Sequence, residues 1–171
     1  MTSLVLTVIG PDKPGLVELL SQTVAQHDGN WLQSGMSRLA GKFAGILTVQ
    51  VPAEQSAALI DALSALESQG LKVIAEQGEE PEAAANQQAL TLELIGHDKP
   101  GIVREISQLL AQRHINVERL ATELVSGSMS AEELFKAQAD LQAPTDADLD
   151  ELQEALEAIA SDLMVDISFK R

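Results

Sequence analysis

The sequence has no cysteine and no tyrosine, and aromatic residues make up only 2% of it. Without thiols there is no disulfide framework, no thiol nucleophile and no zinc site built on thiolates. With so few aromatics, the core has to be made of Leu, Val, Ile and Ala, and apolar types together supply 45% of the residues. Basic residues are also scarce. Eleven Lys and Arg stand against 26 Asp and Glu, a net charge of −15. That balance excludes the basic footprint of a nucleic-acid surface and argues equally against an anionic membrane. The apolar run from Leu4 to Ile9 is too short to span a bilayer and lacks the basic start of a signal peptide. A cytoplasmic protein is the expectation. There is no G-x-S-x-G, P-loop or dinucleotide glycine fingerprint, and His27, His97 and His114 lack the spacing of metal ligands. His27 and His114 fall at helix ends, where the dipole favours positive charge. No catalytic residue, no metal and no cofactor is therefore expected.

What is present is a repeat. Gly10-Pro11-Asp12-Lys13-Pro14-Gly15 returns as Gly96-His97-Asp98-Lys99-Pro100-Gly101. Each copy follows an apolar run and precedes a helical pattern that ends in Asn, Asn30 or Asn116. From Gly10 to Asn30 the two copies agree at 11 of 21 positions, so each repeat is one structural unit.

Hydrophobic spacing gives the order of elements. Leu4 to Ile9 alternates as a strand, and a helix follows from about Pro14 with Leu16, Val17, Leu20 and Val24 on one side. Trp31 to Leu39 and Phe43 to Val51 form a hairpin, Ala53 to Gln69 a second helix, and Leu71 to Glu76 a last strand. The second repeat gives strands at 90–95, 117–125, 134–142 and 164–169, with helices at 100–113 and 146–163. Both halves read βαββαβ. The fold class is therefore α+β, two ferredoxin-like units with antiparallel sheets and helices on one face. The domains are expected at 1–76 and 89–171, joined by a linker over 77–88 that carries glutamates, alanines, Gly78 and Pro81 but no core residues. The second hairpin is longer, and its extra residues around Ser126 to Glu133 are expected at a loop tip.

The outer sheet faces are expected to differ. In the first unit Val5, Thr7, Ile9, Ala44, Ile46 and Thr48 form a mostly apolar set, read as buried. In the second, Thr91, Glu93, Ile95, Lys136, Gln138 and Asp140 read as solvated.

The repeated loop has a physical reading. Gly10 and Gly96 relax the backbone where the strand ends, and Asp12 and Asp98 can cap the next helix. Pro14 and Pro100 suit its first turn, and Gly15 and Gly101 leave room for a backbone or a small ligand. A strand, a loop and then open helix-start amides make a seat for a carboxylate. Lys13 and Lys99 recur although no turn requires them. Asn30 and Asn116 either end their helices in a left-handed conformation or offer a side chain to a ligand, since the strand each opens returns beside the loop.

At these residues the sequence resembles the ACT domain, a βαββαβ regulatory module that binds amino acids. Asp-Lys-Pro-Gly after strand one and Asn before strand two are similar to that family's ligand loop and strand start, which marks all twelve positions as ligand-binding: Gly10, Asp12, Lys13, Pro14, Gly15 and Asn30, with Gly96, Asp98, Lys99, Pro100, Gly101 and Asn116. A tandem pair of this length most resembles the glycine cleavage system transcriptional repressor family, also through Asn30-Trp31 and Ser37 to Phe43. The resemblance implies a non-enzymatic regulator with glycine or a related amino acid as effector, a transcription-factor partner and self-association into a homo-oligomer. The rival is a regulatory subunit acting in trans on a metabolic enzyme. A third reading is an interaction module with degenerate loops.

One surface points to a protein partner. From Ala137 to Phe169 there are nine acidic residues and no Lys or Arg, most of them on one helix. Helix-start carboxylates have the dipole as their explanation, whereas Glu154 and Glu157 do not, so this face is expected to meet a basic surface.

Overall fold

The computed structural model describes residues 1–79, 85–127 and 132–171. It divides into two compact units, Met1–Glu82 and Ala83–Arg171. The first contains β1 (Thr2–Pro11), α1 (Leu16–Gln26), β2 (Asn30–Leu39), β3 (Lys42–Val51), α2 (Ala53–Ala65) with a 3-10 turn over Leu66–Gln69, and β4 (Lys72–Gln77). The second contains β5 (Gln87–His97), α3 (Ile102–Gln112), β6 (Asn116–Ser126), β7 (Glu133–Pro144), α4 (Leu149–Leu163) and β8 (Val165–Lys170). β4 and β5 take Gln77, Gln87 and Gln88 from the ends of the expected linker, whose residues 80–84 lie outside the described residues. The middle of the longer hairpin loop, 128–131, also lies outside them.

Each unit is a four-stranded antiparallel sheet, in the order β2-β3-β1-β4 or β6-β7-β5-β8. The expected α+β fold with two ferredoxin-like βαββαβ units is what the chain forms. Alternation decides which face is covered. Leu4, Leu6 and Val8 of β1 are buried with Leu47 and Val49 of β3, beneath Leu16, Leu20 and Val24 of α1 and Leu59 and Leu63 of α2. The second core repeats this with Leu90, Leu92 and Leu94 of β5 beneath Ile102 and Ile106 of α3 and Leu152 and Leu156 of α4. Both cores are aliphatic, as the shortage of aromatics requires.

The opposite faces differ as expected in composition. In the second unit Glu123 stands opposite Lys136 and Arg119 opposite Asp140, so cross-strand charges line that face. The first unit's face is apolar, but the expectation that it is buried is wrong within this chain. Ile9, Ile46 and Ile74 are 44%, 56% and 50% exposed, because both helices of the unit pack on the other side.

Candidate functional site: a loop and a helix start in each unit

The two loops are built alike. Gly15 is the residue before α1, in a left-handed conformation at φ 93° and ψ −3°, and Gly101 before α3 has φ 96° and ψ −4°. The first helical bonds run from the Leu19 amide to the Gly15 carbonyl, 2.9 Å, and from Glu105 to Gly101, 3.0 Å. The amides of Leu16, Val17 and Glu18, and of Ile102, Val103 and Arg104, precede those bonds, and no side chain caps either helix. A β-carbon on either glycine would have nothing within 4 Å, so the space before both helices is open. The third amide of α1 belongs to a glutamate, Glu18, and that of α3 to Arg104, which makes the second helix start the more positive.

Several loop residues do something other than the sequence suggests. Asp12 and Asp98 do not cap the helices. Each is tied to the hairpin instead, Asp12 N–H donating to the Gly41 carbonyl at 3.1 Å and Asp98 N–H to that of Glu133 at 3.4 Å. The Asp12 carboxylate lies 3.5 Å from the Arg38 guanidinium. Pro14 and Pro100 precede the capping glycine rather than occupying the first turn. Gly10 and Gly96 do not loosen a strand end, since β1 and β5 run one residue beyond them. They permit close approach. A β-carbon on Gly10 would stand 2.9 Å from the Gly70 carbonyl oxygen. Lys13 has a structural task, its ammonium donating to the Gln69 carbonyl at 3.2 Å, at the negative end of the 3-10 turn. With Pro14, Gly15, Glu18 and Gln22 it also lines an open hollow of about 500 Å³ beside the start of α1. His97, which replaces Pro11, lies 3.1 Å from Glu132.

Asn30 and Asn116 are not brought to their own loops. Asn30 pairs with Gln50, which pairs with Ser3, whereas Gly10 lies seven residues further along β1. At the usual strand rise that is roughly 23 Å. Asn116 stands level with Ala89 through Gln142, at the same remove from Gly96. It is the far end of the strand each Asn opens that returns beside the loop. Nor do these residues end helices in a left-handed conformation, a task that falls to Asp28 at φ 56° and His114 at φ 57°.

Sequence reasoning missed an apolar groove in the second unit. Between α3 and β6 lies a narrow apolar groove of about 50 Å³, lined by Val103, Ile106, Val117, Leu120, Phe135 and Ala137 among others. The first unit has Trp31 where the second has Val117, and the indole packs against its core. Comparing the two repeats position by position could have found it.

The acidic face of α4 is partly balanced. Asp148 accepts from the Glu151 amide at 3.1 Å and so caps the helix. The Arg113 guanidinium makes a two-pronged contact with Glu151, and Arg171 lies 2.8 Å from Asp150. The hydrogen bond from Arg113 holds the Glu151 carboxyl below its usual range, with charge attraction adding and desolvation opposing. Among the described residues no group of His, Asp and Glu is placed to hold a metal ion, and no helix is long and apolar enough to cross a membrane.

Comparison with known proteins bears on the loops through the fold. Chain-length structural matches include a protein of unknown function from Galdieria sulphuraria, 25% identical, with a TM-score of 0.83 over 99% of this chain and 97% of that one. Another is a protein provisionally named a glycine cleavage system transcriptional repressor, 20% identical, with a TM-score of 0.69 over 99% and 96%. No curated protein matches the sequence. Family models of the ACT domain match residues 2–75 and again 90–128, the second match including β5, the second loop and α3. With a βαββαβ fold in both units and the family's match in each, the chain belongs to the ACT-domain family and carries two such domains.

Proposed function

We propose that this protein is a non-enzymatic amino-acid sensor, with glycine or a related amino acid as effector. The observation that carries the reading is the duplicated helix start, with an uncapped first turn, a left-handed glycine and open space before it in both units. The effector carboxylate accepts from the exposed amides after Gly15 and Gly101, where the helix dipole favours negative charge. Asp12, Lys13 and Pro14, like Asp98, Lys99 and Pro100, set the loop around it, and Gly10 and Gly96 let the strand reach that point. Arg104 makes the second seat the stronger. A ligand that also meets Asn30 or Asn116 takes that side chain from outside the loop's own unit, since neither Asn reaches its own loop.

The output is regulation through a partner protein in the cytoplasm, a transcription factor controlling glycine cleavage genes. The name of one full-length structural neighbour supports that direction. The net charge of −15 supports action through a protein rather than on DNA directly. Glu154 and Glu157 on α4, which Arg113 and Arg171 leave uncompensated, offer the partner an acidic docking face. The effector reading is tested by calorimetric titration with glycine and related amino acids. Saturable heat is expected, weakened when Gly15 or Gly101 is replaced by Pro, and its absence would remove the effector. The DNA reading is tested by mobility shift of duplex DNA with the isolated protein, where no shift is expected and tight, salt-sensitive binding would overturn it.

A further inference from the structure

The sheet face turned away from the helices is where the two repeats part company most clearly. In the second unit the face is charged, with two opposite-sign pairs across neighbouring strands, Glu123 with Lys136 and Arg119 with Asp140, beside Glu93, Asp166 and Lys170. In the first unit the centre of the face is Ile46, Thr7 and Ile74, side by side on β3, β1 and β4. Ile9 and Val5 flank that row on β1. The isoleucines are about half exposed, a contiguous apolar field that the described residues of the unit leave open. On β4 two charges border it, Lys72 level with Ile9 and Glu76 level with Val5, and a third, Lys42, stands at the end of β3 level with Pro11. The two on β4 sit at equal distances on either side of Ile74 and roughly 13 Å apart along the strand, too far to pair with each other. The ion pairs found among the described residues involve neither of them.

An apolar field whose β4 edge carries one positive and one negative charge placed symmetrically about its centre is complementary to itself along that edge. We propose that this face packs against the same face of a second copy of the chain. The two-fold axis lies in the interface, across the strands and over the Ile46–Thr7–Ile74 row. That operation reverses strand direction, so Lys72 of each copy faces Glu76 of the other while the isoleucines meet across the axis. The sheets then stack at about 10 Å with strands within about 30° of one another, the geometry of aligned sandwiches. The same operation sets the Asn30 end of one sheet over the Pro11 end of the other, the end from which its ligand loop leaves.

The test is the molecular mass of the full chain by sedimentation equilibrium, without added amino acid, so that its failure leaves the effector reading standing. Wild type is expected to be a dimer, and Ile46→Glu a folded monomer by circular dichroism. Should that variant misfold, Ile74→Gln takes its place. Lys72→Glu and Glu76→Lys each turn two attractions per dimer into repulsions and are expected to weaken association about tenfold. The double variant Lys72→Glu/Glu76→Lys restores them. A monomeric wild type, a dimer indifferent to Ile46→Glu and to Ile74→Gln, or a double variant no better than the singles would each overturn the proposal.

Discussion

Gly96 lies so close to Val165 that a β-carbon on it would stand 2.7 Å from the Cβ of the valine and 2.8 Å from its Cα. The two are directly paired across β5 and β8. In the first unit Gly10 is held in the same way beneath Gly70 and Leu71. The first glycine of each loop is therefore required by the sheet, whatever binds at the loop. Val165 is branched at Cβ and cannot swing aside, so Gly96→Ala is expected to destabilise the protein by about 1–3 kcal/mol. Urea unfolding followed by circular dichroism reads the loss, and an unchanged midpoint would mean the strands can part at no cost.

That task was not legible in the sequence. The hexapeptide and its repetition locate the loop, but the neighbour that forbids a side chain at Gly96 lies 69 positions away. Strands and helices were legible because alternation and helical spacing are local: Leu4, Leu6 and Val8 declare a buried face on their own. The separation of Asn30 from its loop was hidden for another reason. Sequence places Asn30 after α1, and only the sheet order, with β3 between β1 and β2, shows that β2 begins at the far end. The pairing of Arg113 with Glu151 joins α3 to α4 across 38 positions, beyond any periodic signal.

The repeats also disagree at one strained position. β4 is preceded by a helix-ending Gly70 at φ 94°, while α4 ends at Met164, left-handed at φ 57° and largely exposed. A side chain in that conformation costs about 1–2 kcal/mol, of which glycine recovers most despite its freer unfolded state. Met164→Gly is expected to stabilise the protein by about 0.5–1 kcal/mol. A lower urea midpoint in the variant would show that the methionine contributes packing that outweighs the strain.

Stability in acid should depend on Glu151. Arg113 lowers the pKa of this carboxyl in the folded protein, so its contribution is present above the pKa of the unfolded chain. The contribution is lost as pH falls through the lower folded value. Glu151→Gln should therefore be less stable than wild type at about pH 7, with the gap closing towards about pH 3. A gap independent of pH would assign the effect to packing. Both side chains are partly exposed, so the difference is expected to be small and to shrink with added salt.

Asn30→Ala and Asn116→Ala test whether the seat takes a side chain from outside the loop's own unit. Loss of a hydrogen bond to a charged ligand group costs about 1.5–3 kcal/mol, which is roughly ten- to a hundred-fold in affinity. That loss is expected in the double variant with its unliganded stability unchanged. Wild-type affinity in the double variant would confine the seat to the loop and helix start.

The most direct measurement is thermal unfolding of the full chain in the presence of each common amino acid in turn. A ligand that binds only the folded protein stabilises it by about 2.7 kcal/mol at a hundred times its dissociation constant. Glycine or a close relative is expected to raise the unfolding temperature in a saturable, concentration-dependent way, and Gly15→Pro/Gly101→Pro to abolish the rise. No shift with any amino acid at millimolar concentration, or a shift unchanged in that variant, would contradict the assignment of the two helix starts as the effector seats.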